Sequence, residues 1–127
     1  LDLKEADVGE LFRMIKKYDM VKDVIWYCDP HEHAYVKQHG GISMPDPGPE
    51  ANLATILRDY EPKVVASVWR HFSPTFVDAC HEAGAVVIVD ESDPSCWDEA
   101  LAWGTDGIQT DHPEKFINYL KTRKAKP

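Results

Sequence analysis

The chain has 127 residues, which is enough for one domain with a moderate hydrophobic core. Its 22 acidic residues outnumber its 14 basic residues and give a net charge of −8, which argues against a general nucleic-acid-binding surface. Three cysteines without a Cys-x-x-Cys pair argue against a disulfide framework and a structural zinc site, and no stretch approaches the ~20 apolar residues of a membrane span.

The chain begins with an alternation of apolar and charged residues that predicts a strand. Asp2 and Lys4 are two residues apart, so both side chains leave the same face of that strand. A carboxylate and an ammonium on one strand face indicate either a functional site or a structural ion pair. A helix is predicted next, because apolar residues then recur at i, i+3, i+4 and i+7. These residues are Val8, Leu11, Phe12 and Ile15.

Short apolar runs and helical patterns alternate along the rest of the chain. Five further strands are predicted at residues 23–28, 41–45, 64–68, 85–91 and 107–111. Helices are predicted at residues 29–39, 53–60, 73–84, 93–104 and from 113 onward. Ser73 supplies an N-cap before a proline, and Gly84 and Gly104 end two of the helices.

Six strands that alternate with helices predict a parallel sheet, because parallel neighbours need crossover connections. The runs VVASV and AVVIV are apolar on both faces, which is typical of parallel strands that are covered on both sides. Two architectures satisfy this pattern, an open doubly wound sheet and part of a (β/α)8 barrel. A complete barrel typically needs about 250 residues, so this chain cannot form an ordinary complete one.

In either architecture, functional residues collect at the carboxyl ends of the strands. The polar residues there are Asp2, Lys4, Asp29, Asp46, Trp69, Arg70, His71, Asp90, Glu91, Ser92, Thr110, Asp111 and His112. Carboxylates are hard oxygen ligands for Mg²⁺ or Ca²⁺, and a lysine with an arginine suits an anionic, phosphate-like substrate. The opposite ends of the strands carry no comparable set. We therefore expect a cation and a phosphate-like anion at the carboxyl ends.

Some of these polar residues also have a purely structural explanation. Asp29, Asp93 and His112 each precede a proline at a helix start, so capping is the leading explanation for them. His31 and His33 are two residues apart on a helix, so their side chains point apart and do not predict a metal site. Cys28, at a strand end, is typical of a small buried apolar residue.

Two motifs near the C-terminus and one at the N-terminus indicate a known family. His81-Glu82-Ala83-Gly84 ends a helix, and GTDGIQTDHP (residues 104–113) follows the pattern G-x-D-G-I-x-T-D-x-P before the last helix. LDLK follows the pattern acid-x-Lys on a strand, with Asp2 where glutamate is usual. By these motifs the chain resembles the glycerophosphodiester phosphodiesterase family, and the order of strands and helices extends the resemblance over nearly the whole chain.

The resemblance implies that residues 1–127 are the C-terminal part of a (β/α)8 TIM barrel with about six parallel strands. LDLK would be the third barrel strand, and the first two strands would be absent. It also implies a reaction, the hydrolysis of a glycerophosphodiester to glycerol 3-phosphate and an alcohol with a divalent cation, Mg²⁺ or Ca²⁺. In the family, the absent part carries two histidines that act as general acid and base, and two metal-binding carboxylates.

The resemblance also implies roles for individual residues. Asp2 would be a metal ligand, and Lys4 would be a catalytic cation in contact with the phosphate. Trp69 and Arg70 lie at a strand mouth where family members contact the substrate. The family often has a Trp-Thr-Val-Asn-like segment on its seventh strand, whereas this chain has VIVD. Asp90, the last residue of VIVD, is a further candidate for substrate binding, although VIVD lacks the aromatic residue of the family's segment.

The expected partners follow from the incomplete barrel. Open sheet edges carry unpaired backbone groups, so the absent N-terminal barrel portion or a second copy of the chain would cover them. Without the two histidines, the isolated chain is expected to be inactive or nearly so.

Two other hypotheses remain open: a non-catalytic fragment that associates with a partner chain, and a flavodoxin-like domain that binds a small anion. The second should have a phosphate-cradling first turn, but KEADVGE has one glycine.

Overall fold

The structure is a computed structural model that describes residues 1–91 and 93–124. Within these residues, five strands alternate with six helices. The strands are β1 (Ile25–Tyr27), β2 (Ile42–Met44), β3 (Val64–Val68), β4 (Val86–Asp90) and β5 (Gly107–Gln109). The helices are α1 (Val8–Lys17), α2 (Pro30–Gln38), α3 (Leu53–Tyr60), α4 (Pro74–Glu82), α5 (Trp97–Ala102) and α6 (Pro113–Lys124). None of the helices in these residues is long and apolar enough to cross a membrane.

All strand pairs are parallel and follow the order of the chain. β1 pairs with β2, and β3, β4 and β5 form a second sheet in that order. The backbone N–H of Ala66 donates to Pro45 O at 3.4 Å and joins the two sheets. A doubly wound sheet reverses its strand order at a switch point, whereas a barrel wall runs in sequence order. The arrangement therefore confirms the predicted part of a parallel α/β barrel.

The predicted first strand, LDLK, is not a regular strand. Asp2 forms a single parallel bridge with Tyr27. The bridge has two hydrogen bonds, from Tyr27 N–H to Leu1 O at 2.8 Å and from Leu3 N–H to Tyr27 O at 2.9 Å. The segment has this one neighbour and bends away from Lys4 onward, so its ladder is too short to count as a strand. The prediction of six strands was therefore wrong by one.

The main core lies between the β3–β5 sheet and the helices that cover its outer face. Val65, Val87 and Val89 face outward from the strands and are fully buried. They pack against α4, which contributes Phe76 and Val77 to the same cluster. Parallel strands need such a helical cover, and the apolar spacing of α4 supplies it.

The inner face of β4 contradicts the prediction that AVVIV is covered on both sides. Val86 is 44% exposed and Asp90 is exposed, whereas Val87 and Val89 are fully buried. Inner and outer side chains alternate along a strand, so one face is buried by helices and the other is not. The physical reason is that the sheet does not close within these residues, so the side that would become a barrel interior lies partly open.

The predicted caps at Ser73 and Asp93 are confirmed. Ser73 Oγ accepts a hydrogen bond from Phe76 N–H at 3.0 Å, and Asp93 Oδ1 accepts one from Ser95 N–H at 2.9 Å. At the start of α2, Glu32 Oε2 accepts a hydrogen bond from Asp29 N–H at 3.2 Å, as in a capping box. The Ser73 cap starts α4 at the predicted position. The Asp93 cap instead starts a short 3₁₀ turn, Pro94–Cys96, and α5 follows from Trp97.

The two C-terminal motifs meet at the amino ends of the strands. Asp106 Oδ2 accepts a hydrogen bond from Val87 N–H at 2.8 Å and lies 3.0 Å from His81 Nε2. This carboxylate therefore ties α4 and β4 to the turn before β5. Partial burial acts to raise the pKa of Asp106, but the hydrogen bonds from Val87 and His81 outweigh it and lower the pKa. The motif residues His81 and Asp106 thus have a structural role.

Replacing Asp106 with alanine is expected to destabilise the chain by about 1–2 kcal/mol at pH 7, because Val87 N–H and His81 lose their acceptor. A carboxylate with a lowered pKa stabilises the fold above its unfolded-state pKa, and this contribution is lost as the pH falls through the folded-state pKa. The deficit should therefore shrink in acid. Urea unfolding at pH 7 and pH 3 measures both effects, with Asp78→Ala on the exposed side of α4 as the control.

Candidate functional site

The candidate site lies at the carboxyl ends of the strands, on the inner face of the sheets. Tyr27 and Ile88 pack on the same inner cluster, which contains Met44, Val64 and Ala66. Asp90 is two residues beyond Ile88 on β4, so it leaves the same face. Tyr27 ends β1, so both side chains are at the mouth of the incomplete barrel.

A tyrosine–carboxylate pair organises this mouth. The Tyr27 hydroxyl donates to Asp46 Oδ2 at 2.9 Å, and Asp46 Oδ1 accepts from Gly48 N–H at 2.7 Å. Gly48 has a φ of 65°, a left-handed conformation that favours glycine, so the turn holds Asp46 in place. Sequence reasoning missed Tyr27, because an aromatic residue inside a strand is typical of core packing.

The charges around Tyr27 show which acidic residues converge. Burial, the hydrogen bond to Asp46 and the negative charges of Asp46, Asp90 and Asp2 together raise the pKa of Tyr27 well above its usual range. The tyrosine therefore stays protonated and acts as a hydrogen-bond donor. Burial also raises the pKa of Asp90, followed by the charges of Asp111, Glu91 and Asp46. The mouth is thus an electrostatically negative pocket into which a positive group would fit.

Replacing Asp90 with asparagine is expected to stabilise the isolated chain. Folding raises the pKa of this carboxyl, so its charge opposes folding at neutral pH, and the opposition disappears as the pH falls below the unfolded-state pKa. The urea midpoint of Asp90→Asn should exceed that of the unmodified chain at pH 7 and approach it at pH 3. The exposed Asp78→Asn is the control, and a lower midpoint for Asp90→Asn at pH 7 would contradict the charge argument.

Asp2 and Lys4 form an ion pair, as expected if their spacing has a structural explanation. Asp2 Oδ2 lies 3.5 Å from Lys4 Nζ, and the side chains are 52% and 78% exposed. An exposed pair of this kind contributes at most about 1 kcal/mol, so a ligand could replace either partner at little cost. The structural pairing and a functional role are therefore compatible.

The structure does not place Trp69 with these acidic residues. The Trp69 ring stacks on Trp103 with centroids 4.7 Å apart, and it packs against the core on the helix side of the sheet. Arg70 is exposed, and its Nε donates to His71 Nε2 at 3.4 Å. The structure thus brings Asp2, Lys4 and Asp90 to the mouth and leaves Trp69 turned toward the helices. The strand-end residue Ser92 lies outside the described residues.

The mouth offers a carboxylate that suits a divalent cation. Asp2 offers an exposed carboxylate, which is the ligand type that Mg²⁺ and Ca²⁺ prefer. In residues 1–91 and 93–124, one group of three side chains brings possible metal-ligand atoms within 4.8 Å of one another. It consists of Asp29, His31 and Glu32. The capping box at the start of α2 explains why Asp29 and Glu32 are close, and we assign no metal to it. Asp2 therefore fits as one ligand, and further ligands are needed to complete a site.

Two other sequence predictions are consistent with the structure, one at the end of β1 and one on α2. Cys28 is 7% exposed, and burial together with the charges of Glu32 and Asp29 raises its pKa to about 11. Its thiol therefore stays protonated at neutral pH and is a poor nucleophile. His31 is exposed and His33 is buried, so the two imidazoles do not form a chelating pair.

Parallel strands in sequence order, with helices outside and charged residues at the carboxyl ends, define part of an α/β barrel with a site at its mouth. Three solved structures share this fold, and all are described as glycerophosphodiester or glycerophosphoryl diester phosphodiesterases. The protein from Galdieria sulphuraria has a TM-score of 0.77 and 20% identity, with 95% of this chain and 56% of that chain covered.

The other two structures give similar values. The protein from Silicibacter pomeroyi DSS-3 has a TM-score of 0.70 and 16% identity, over 87% of this chain and 45% of that one. The protein from Parabacteroides distasonis ATCC 8503 has a TM-score of 0.78 and 19% identity, over 97% of this chain and 57% of that one. The chain thus spans about half the length of these structures. At this identity the similarity concerns the fold, and it confirms the resemblance at that level.

No protein-family model matches the sequence, and the comparison with curated proteins gives no match either.

Proposed function

We propose that this chain is the C-terminal part of a phosphodiesterase barrel that hydrolyses glycerophosphodiesters to glycerol 3-phosphate and an alcohol. The observation that carries the proposal is the placement of Asp2 and Lys4 at the mouth of a fold shared with three structures of that description. The Gly104–Pro113 motif supports it from the sequence side.

The residues at the mouth have distinct roles in this proposal. Asp2 would contribute one carboxylate to a divalent cation, Mg²⁺ or Ca²⁺, and a bound cation polarises the phosphoryl group. Lys4, 3.5 Å from Asp2, would contact a phosphoryl oxygen and offset its charge in the transition state. Arg70 and Asp90 would contact the rest of the substrate, and Trp69 would have to turn away from Trp103 to join them.

The chain needs a partner for this reaction. The edges at Asp2 and β5 are open, and Leu1, Ile25 and Val86 are 50%, 37% and 44% exposed near the open side. Such edges and apolar side chains are normally covered. We infer that two further strand–helix units cover them and supply the general acid and base. Open edges are equally compatible with an alternative, in which the chain is a non-catalytic fragment that associates with a second copy of itself.

A chimeric barrel tests the proposed reaction. In it, this chain replaces the matching 57% of the Parabacteroides distasonis protein, and the rest of that protein is kept. A chimera that unfolds cooperatively should release glycerol 3-phosphate from a glycerophosphodiester when Mg²⁺ or Ca²⁺ is added. The chain alone should release none. A folded chimera that is inactive beside an active parent protein would contradict the proposal.

The native mass of the chain alone distinguishes the two kinds of partner. A stable dimer of the 14.4 kDa chain would favour self-association. A monomer that binds the separately produced remainder of the parent protein would favour completion of the barrel.

A further inference from the structure

A buried histidine joins three elements at the amino ends of the strands, opposite the mouth. His33, on α2, is 2% exposed. Its Nε2 lies 2.9 Å from Tyr60 O at the end of α3, and its Nδ1 is hydrogen-bonded to Ser43 Oγ on β2. The sequence predicts no comparable set of polar residues at this end of the strands.

The hydrogen bonds determine the protonation state of this imidazole. A carbonyl oxygen only accepts hydrogen bonds, so Nε2 carries a proton and donates to Tyr60. Nδ1 can then accept the hydroxyl hydrogen of Ser43, which is 6% exposed. The neutral imidazole therefore satisfies both ring nitrogens and the serine. A second proton on Nδ1 would make both nitrogens donors and leave the Ser43 hydrogen without its acceptor.

The surrounding charges also oppose a second proton. Lys37 Nζ donates to the same Tyr60 carbonyl at 3.1 Å and to Glu61 Oε2 at 3.2 Å. Lys63 lines the same small cavity, so two ammonium groups and one carboxylate surround the imidazole. Burial lowers the pKa of His33, Lys37 lowers it further, and the hydrogen bond to Tyr60 opposes both.

The three joined elements include a strained turn. Glu61 ends α3 with a φ of 45°, a left-handed conformation that is costly for a residue with a β-carbon. His33 and Lys37 donate to the carbonyl just before it, and Lys37 also holds its carboxylate. The contacts of His33 thus stabilise a turn that the backbone alone disfavours.

We propose that His33 is a pH-sensitive latch, which holds α2, β2 and the end of α3 together at neutral pH and releases them in mild acid. In the closed state the pKa of His33 is lower than that of an exposed histidine. At a pH between these two pKa values, the open state therefore binds more protons than the closed state. The closed state is therefore fully stable above about pH 6.5 and loses stability as the pH falls below it. The latch is independent of the proposed reaction, because it lies at the other end of the strands.

Nuclear magnetic resonance of the whole chain tests this proposal through two readouts. The imidazole of His33 should titrate below the ordinary range of histidine. Hydrogen exchange of the Glu61 amide, bonded to Leu57 O, should lose protection by on the order of tenfold between pH 7.5 and 5.0, after correction for the intrinsic rate. The amide of Val77 in the main core should keep its protection.

Two variants, each with a control at an exposed residue, separate a latch from a purely structural histidine. His33→Gln cannot be protonated, so its Glu61 amide should show no loss between pH 7.5 and 5.0, whereas His31→Gln should behave like the unmodified chain. If His33→Gln does not fold, Lys37→Gln should raise the titration midpoint of His33, and exposed Lys22→Gln should not. A His33 midpoint at or above the ordinary value, or an unchanged midpoint in Lys37→Gln, would overturn the proposal.

Discussion

Replacing Asp2 with alanine in the chimeric barrel is expected to lower the rate of glycerol 3-phosphate release by roughly 10²–10⁴-fold. A catalytic cation contributes several kcal/mol to the transition state, and each 1.36 kcal/mol corresponds to a factor of ten. Because the proposal makes Asp2 a cation ligand, its loss should also weaken cation binding. Calorimetric titration with Mg²⁺ or Ca²⁺ measures that affinity without turnover.

The control for Asp2→Ala is Asp78→Ala, which removes an exposed carboxylate on α4. This control should keep both the rate and the cation affinity. Loss of the exposed ion pair with Lys4 costs little stability, so Asp2→Ala should unfold at nearly the same urea concentration as the parent chimera. If Asp2→Ala retains full activity and full cation affinity, Asp2 is not a metal ligand and its pairing with Lys4 is only structural.

Replacing Phe76 with alanine is expected to unfold most of the isolated chain at 25 °C. Phe76 is fully buried, lies in the main core and packs on Phe72 with ring centroids 4.6 Å apart. A buried phenylalanine-to-alanine change typically costs about 3–5 kcal/mol, whereas a whole domain is stable by only about 5–15 kcal/mol. Because the inner face of the sheet is partly open, we expect the free energy of unfolding of this chain to lie at the low end of that range.

Circular dichroism and urea unfolding measure this loss, and Tyr18→Ala is the matched aromatic control. Tyr18 is 65% exposed, so its removal should change stability by less than about 0.5 kcal/mol. If Phe76→Ala stays folded with a loss below about 1 kcal/mol, the cluster between the sheet and α4 is not the main source of stability.

The alternation of elements was predictable because its signals are local. Helix periodicity, prolines at helix starts and β-branched runs depend on a few neighbouring residues, and the caps at Ser73 and Asp93 follow from side-chain chemistry alone. Parallel pairing followed from the crossover helices. The coverage of β4 could not be predicted in this way, because the exposure of Val86 depends on what packs over the inner face of the sheet and not on neighbouring residues in the sequence.

The candidate site was only partly predictable for a related reason. The strand-end rule located Asp2, Lys4 and Asp90, because it depends only on where strands end. The direction of Trp69 depends on its contact with Trp103, which is 34 residues further along the chain. Tyr27 gave no signal, since an aromatic residue in a strand usually belongs to the core. His33 was similarly hidden, because its partners Ser43 and Tyr60 come together only in the fold.

The most direct test of the central claim is glycerol 3-phosphate release, measured for the chain alone and for the folded chimera, each with and without divalent cation. The account predicts cation-dependent release by the chimera and none by the chain alone, because the proposed reaction uses Asp2 and Lys4 of this chain and takes its acid and base from the rest of the barrel. Cation-dependent turnover by the pure chain would contradict the claim that it is an incomplete catalytic unit. A folded but inactive chimera beside an active parent would contradict the phosphodiesterase assignment itself.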